Sequence, residues 1–249
     1  MTLLSSLKER LRRTVPQEDT DPEKAYDLWA SYYDAQPGNL MLDLDEDLFS
    51  GILNSVNIDG KVVVDIGCGT GRHWNKIFAK KPKSLSGYDV SEGMIAKLKE
   101  KFPCASVSKL INNSLPGLAN SSVDVIVSTL TIAHIENIEE AFVEWARVLK
   151  TNGEIIITDY HPEAFMKGAN RTFPVNGKTV AIRNFTHSIG KLHGLLRSMG
   201  FEALLFVEKK IDASMKPYYE EKQALHVFEK FNGVPIIYGT LLKKTDAAT

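Results

Sequence analysis

From residue 61 onward, short β-branched runs alternate with amphipathic helical stripes, and this alternation restricts the chain to a mostly parallel sheet covered by helices. The clearest strand is residues 61–66, with Val62, Val63 and Val64 at its centre and apolar side chains on both faces, as a buried parallel strand requires. Further runs lie at 84–90, 123–128, 154–158, 203–207 and 236–242. Between them fall stripes such as Met94, Ile95, Leu98 and Phe102, or Ile138, Ala141, Phe142 and Trp145. Before the sheet, helices are expected near 22–33 and 41–55. After the fifth strand, residues 161–188 form an insertion in which Asn176-Gly177 predicts a two-residue hairpin turn. The insertion is either a lid over the acceptor pocket or a solvated hairpin extending the sheet.

Parallel sheets of this kind bind ligands at the carboxyl ends of their strands. After the first strand stands Asp65-Ile66-Gly67-Cys68-Gly69-Thr70-Gly71. The glycines permit a sharp turn and close approach of a ligand to the backbone. A dinucleotide fingerprint would place a third glycine where this chain has Arg72, which argues against a nicotinamide-dependent oxidoreductase. The acid Asp65 beside the loop suits a cationic amino-acid end better than a pyrophosphate. Asp89, closing the second strand, stands where nucleoside-binding sheets place an acid to accept from ribose hydroxyls.

Several runs together resemble the class I S-adenosylmethionine-dependent methyltransferases: VVVDIGCGTGR, GYDVSEGM, SLPGLANSSVDVIVSTLTIAHI and VLKTNGEIIITDY. The nearest subgroup is the ubiquinone/menaquinone-methyltransferase-like (type 11) set of small-molecule enzymes. The resemblance implies an α/β fold: a Rossmann-like, doubly wound, mostly parallel seven-stranded sheet with helices on both faces, plus N-terminal helices and a β-hairpin insertion. It implies one domain over residues 1–249, divided into a helical cap (1–58), a cofactor-binding core (59–160), a lid insertion (161–188) and the C-terminal part of the sheet (189–249). S-adenosyl-L-methionine is the implied cofactor. Gly67, Gly69, Gly71 and the adjoining Arg72 would line its methionine part, with Asp65 on the amino group and Asp89 on the ribose. Val90 and Met94 would pack on adenine, and Asn112 and Asn113 would stand where the family carries an acid. Ser128 and Thr129 would lie under the methionine portion, and Tyr33 would cover the cofactor from the N-terminal segment.

Methyl transfer from a sulfonium needs alignment and exclusion of water more than a dedicated base. The acceptor-side candidates are Tyr160 and His161, which follow the fifth strand. His134 is expected to be a structural hydrogen-bonding group and His73 to be exposed. The acceptor pocket is expected between residues 26–39 and the insertion, with Arg171 and Arg183 available to grip an anionic end. The fourth strand lacks the Asn/Asp-Pro-Pro-aromatic motif of enzymes that methylate exocyclic amino groups. A protein that binds SAM without catalysis, as a partner or regulatory subunit, is the alternative of a different kind.

Composition narrows the partners. The formal net charge of −1 lacks the basic excess of a phosphate-gripping protein, so no nucleic acid is expected. The two cysteines, Cys68 and Cys104, lack metal-ligand spacing, no metal is expected, and a cytoplasmic setting is the simplest. No apolar run approaches membrane-spanning length, so stable membrane insertion is not expected. Leu3, Leu4, Leu7 and Leu11 would form a narrow apolar helical face, expected to dock on the body.

Overall fold

The computed structural model describes residues 19–36, 38–175 and 177–245, so the N-terminal leucine face and Asn176 lie outside the described residues. The elements run β1 (Asp19–Thr20), α1 (Pro22–Trp29), α2 (Leu40–Asn54), β2 (Val62–Ile66), α3 (Trp74–Ala79), β3 (Ser84–Asp89), α4 (Glu92–Lys101), β4 (Ser106–Lys109) and β5 (Val123–Thr129). There follow α5 (Ile138–Val148), β6 (Leu149–Tyr160), α6 (Pro162–Met166), β7 (Thr172–Val175), β8 (Lys178–Ile182), α7 (Ile189–Ser198), β9 (Phe201–Lys210), α8 (Lys216–Glu221), α9 (Leu225–Phe231) and β10 (Pro235–Lys244).

Seven strands form one sheet in the order β4-β3-β2-β5-β6-β10-β9. All pairings are parallel except those of β10, which runs antiparallel to both β6 and β9. The order reverses between β2 and β5, and a crevice opens at such a switch point. Strand periodicity divides the core in two. Val64, Ile66, Ile126, Ile155 and Ile157 pack with Phe142, Trp145 and Val148 of α5 and with Leu192 and Leu196 of α7. Val63, Val125, Val127 and Ile156 face the other way, onto Phe49, Ile52 and Leu53 of α2, Trp74 and Ile77 of α3, and Leu98 of α4.

Helix starts follow the local sequence. Asn39 caps α2, Ser91 caps α4, Asn137 caps α5 and Ser188 caps α7, each accepting from a backbone N–H of the first turn. The predicted hairpin forms: β7 pairs antiparallel with β8, Phe173 opposite Val180. β8 also pairs in parallel with β1, so the hairpin belongs to a small separate sheet and does not extend the large one. Phe173 stacks on Trp29 of α1, ring centroids 4.4 Å apart.

Candidate functional site

A cavity of about 580 Å³ occupies the carboxyl ends of β2, β3 and β5, the size of an ordinary small-ligand site. Its floor is the turn after β2. The Gly67 and Cys68 amides both donate to the Tyr88 carbonyl, at 2.7 and 3.1 Å, pinning the turn to β3. Gly67 has φ +75°, and a Cβ there would collide with Thr131, so this position demands glycine twice over.

Two carboxylates stand at the turn. Asp65 is 4% exposed; its Oδ2 accepts from the Trp74 indole at 2.8 Å, while its Oδ1 is buried with no partner. Burial pushes this carboxyl up to about 6 against the opposing Trp74 bond. Asp65 lines a side recess, which shares Tyr33, Gly67, Gly69 and Thr129 with the main cavity and adds Thr70 and Arg72. Asp89 lines the main cavity. Its Oδ2 accepts from the Gly69 amide at 2.7 Å and its Oδ1 from the Ser91 amide at 2.9 Å, and each oxygen keeps a second lone pair. Burial lifts it, too, to about 6. Ser91 caps α4 through its own hydroxyl, 3.0 Å from the Met94 amide, so Asp89 is not needed as the cap.

Val90, Met94, Asn112 and Asn113 line the opposite end. Asn112 and Asn113 both adopt left-handed backbone, φ +50° and +56°, a conformation asparagine tolerates better than most residues. Tyr33 lines both the cavity and the recess. Of Ser128 and Thr129, the last two residues of β5, only Thr129 reaches the cavity. Ser128 is fully buried behind it with an unpartnered Oγ, because neighbours in a strand point to opposite faces. Gly71 packs on Leu98 and Phe102 and lies outside the cavity wall.

Arg72 reaches the recess with its guanidinium anchored by Asp45 and by the Leu42 carbonyl, 3.4 Å away. His73, expected to be exposed, is 3% exposed and bonds Asp45 at 2.9 Å through Nε2. Burial would raise the Asp45 carboxyl, but His73, Arg72 and Thr158 together pull it down to about 2.

The acceptor-side expectations fare differently. His161 lies outside the cavity wall, 3% exposed. Its Nδ1 accepts from the Glu163 amide at 3.2 Å as the cap of α6, and its Nε2 bonds Glu208 at 2.7 Å. Tyr160 faces a separate cavity, stacked on Phe165, with the Arg171 guanidinium 4.4 Å over its ring. The hairpin lines none of the main cavity but buttresses α1 from outside. Arg171 is 4% exposed and spent: it donates to the Tyr26 hydroxyl at 2.9 Å, the Leu130 carbonyl at 2.8 Å and Asp159 at 3.2 Å, and touches His134. Arg183 is exposed, and its carbonyl faces His134 Nδ1 at 3.2 Å. An anion grip by either arginine is therefore not built here.

His134 and Tyr26 do line the cavity, 2.9 Å apart. With Nδ1–H donating to Arg183, Nε2 is the acceptor; burial first, and Arg171 second, hold the imidazole well below its ordinary pKa, hence neutral. Tyr26 stands at the start of the 26–39 segment expected to wall the acceptor pocket. The spacing of seven residues to Tyr33 would put both on one face of a helix over 22–33; the helix ends at Trp29, and Tyr33 reaches the cavity from the turn that follows.

Residues 64–157 match the family model described as a methyltransferase domain. The chain is 26% identical over 218 residues to an uncharacterized methyltransferase of Emericella nidulans, covering 72% of this chain and 75% of that one. It is 30% identical over 134 residues to the ubiquinone/menaquinone biosynthesis C-methyltransferase UbiE of Campylobacter jejuni, 51% of this chain and about half (54%) of the relative. The S-adenosylmethionine-dependent methyltransferase from Mesorhizobium loti shares the fold, with a TM-score of 0.56 at 17% identity over 76% of this chain and 93% of that one. Residues 64–157 are thus a methyltransferase domain, and the chain as a whole shares the fold of S-adenosylmethionine-dependent methyltransferases. Its cofactor is S-adenosylmethionine, and the unpartnered Asp65 oxygen and the open lone pairs of Asp89 fit that molecule's ammonium and ribose hydroxyls. Among the described residues no helix is long and apolar enough to cross a membrane.

Proposed function

We propose that this enzyme methylates a small molecule, working as one unit over residues 1–249 in a cytoplasmic setting. The observation that carries the reading is the buried Asp65 Oδ1 without a partner, on a residue that lines the same recess as Arg72. A buried acceptor left unmade costs about 1–3 kcal/mol, so a hydrogen-bond donor placed against it is favoured. In this reading Asp65 takes the ammonium and Arg72 the carboxylate of the methionine end, each held in place before binding by Trp74 and Asp45. Gly67, Gly69 and Thr129 cradle the chain between them, and Tyr33 covers it. Asp89 accepts the ribose hydroxyls, Val90 and Met94 sandwich the adenine, and Asn112 and Asn113 offer its amino group an acceptor. Bound there, S-adenosylmethionine supplies an electrophilic methyl group. The protein's own part is to align the acceptor and keep water out, and the half-buried Tyr26–His134 pair, its imidazole neutral, gives that wall its hydrogen-bonding capacity without a charge.

A small acceptor is supported by the cavity volume of about 580 Å³, by the net charge of −1 and by the likeness to the ubiquinone/menaquinone biosynthesis C-methyltransferase UbiE. The test uses pure protein with methyl-labelled cofactor and a metabolite extract, separated into small-molecule, protein and nucleic-acid fractions. Label in the small-molecule fraction is expected. Label confined to protein or nucleic acid sinks the reading, and cofactor binding with no transfer supports a non-catalytic subunit.

A further inference from the structure

One wall of the donor cavity comes from outside the large sheet. Residues 21–34, which are the cap of α1, the helix and the turn after it, lend the cavity Asp21, Pro22, Glu23, Tyr26 and Tyr33. Three carboxylates of this strap reach across to the core. Glu23 pairs with Lys109 at 2.8 Å. Asp27 Oδ1 accepts from the Ser91 hydroxyl at 2.6 Å and from the Gly93 amide at 2.9 Å. Asp34 Oδ1 accepts from the Thr70 hydroxyl at 2.7 Å, and its Oδ2 meets the Lys101 ammonium at 2.9 Å.

The places where Asp27 and Asp34 land are what matters. Asp89 is aimed by two backbone amides, those of Gly69 and Ser91. Asp27 bonds Ser91 itself, and Asp34 bonds Thr70, the residue next to Gly69. Both supports of the Asp89 carboxylate are therefore braced from the strap. The first turn of α4 is braced there too. Ser91 Oγ accepts from the Met94 amide, and Asp27 takes the Gly93 amide, which no residue of the helix could satisfy. Contact at this point is close: a Cβ on Gly93 would stand 3.1 Å from the Ala30 Cβ and 3.2 Å from Asp27 Oδ1. The strap's other side has supports of its own, Arg171 on the Tyr26 hydroxyl and Phe173 on the Trp29 ring. Asp27 and Asp34 are themselves exposed, so removing either strands no buried charge.

We propose that Asp27 and Asp34 are positioning residues of the methyl-donor site. From the strap they hold Ser91 and Thr70, through these they fix the two amides that aim Asp89, and they keep Tyr26 and Tyr33 against the cavity. Neither carboxylate touches the donor. The inference rests on the placement of the donor given above. Its consequence is that the grip of the strap sets how long the donor and its demethylated product stay bound.

The test titrates S-adenosylhomocysteine into the whole chain and follows its dissociation by rapid mixing. The double variant Asp27→Ala/Asp34→Ala is expected to stay folded and to bind about tenfold more weakly, chiefly through faster dissociation. Asp27→Asn/Asp34→Asn, which keeps an acceptor oxygen at both places, is expected to return to within about threefold of wild type. Thr70→Val should weaken binding as Asp34→Ala does, and the two together no more than either alone. Undiminished binding by the folded alanine variant, no recovery with asparagine, or additive losses at Thr70 and Asp34 overturns the positioning role. If Asp89→Ala also binds at full strength, the placement of the donor fails instead, so the two are separable.

Discussion

Two buried charge clusters stand a few residues apart along the carboxyl edge of the sheet, and they are opposites. Asp65 and Asp89 are buried without a cation, both lifted to about 6, one with an oxygen that has no partner at all. Arg171 is buried with every need met: Asp159 for its charge, the Tyr26 hydroxyl and the Leu130 carbonyl for its protons, the Tyr160 ring for its face. A cluster that closes on itself serves the fold, and one left open serves a ligand. Burial alone distinguishes neither, since all three side chains are nearly inaccessible.

The largest expected effect separates the two. Arg171→Met strands the buried Asp159 carboxylate and should destabilise the fold by about 3–5 kcal/mol in denaturant unfolding. If it unfolds like wild type, the Arg171 cluster is not structural. Asp89→Ala should do the reverse, leaving stability near wild type while weakening S-adenosylhomocysteine by roughly 10- to 100-fold in calorimetry, the loss of one charge-assisted hydrogen bond or more. Unchanged affinity would make Asp89 a mere brace for the glycine turn.

pH sharpens the contrast. The unfolded carboxyls titrate near 4 and the folded Asp65 and Asp89 at about 6. What these groups contribute to stability is therefore full below about 4 and is lost as pH rises to about 6. A ligand ammonium needs Asp65 ionised, so affinity should fall as pH drops through about 6, with proton release on binding in that window. A flat profile between pH 5 and 7 would show that neither carboxylate meets the ligand. Smallest of all, His161→Ala should cost about 1 kcal/mol as a lost helix cap and leave S-adenosylhomocysteine affinity unchanged. A large loss of transfer would return His161 to the acceptor side.

The cofactor edge was legible because each of its parts is local: a strand, its turn and the next helix, contiguous in residues 62–94. The same locality misled at Ser128, where strand alternation turns the side chain from the cavity that Thr129 meets. β4 escaped notice because Ser106–Lys109 is a four-residue polar edge strand paired on one side only. α8 and α9 are short and have no side-chain cap to announce them. The separate cavity that Tyr160 faces was invisible for a stronger reason. Its wall joins residues 39–41, 160, 168–170, 218–231 and 236, and no spacing rule links segments so far apart. Arg171 was legible as a charge but not as a committed one, since its partners lie as far as 145 residues away.

The position of β10 bears on how the molecule is made. It is the last strand in chain order among those described, yet it sits inside the sheet, between β6 and β9. During synthesis, β6 therefore remains a bare hydrogen-bonding edge until residues 235–244 leave the ribosome. Ile236 and Ile237, which belong to the apolar cluster with Phe228 and Phe231, are missing until the same moment. The nascent chain can finish its glycine turn early and still expose a sticky flank, so its window of vulnerability to aggregation and to chaperone capture closes only with this strand.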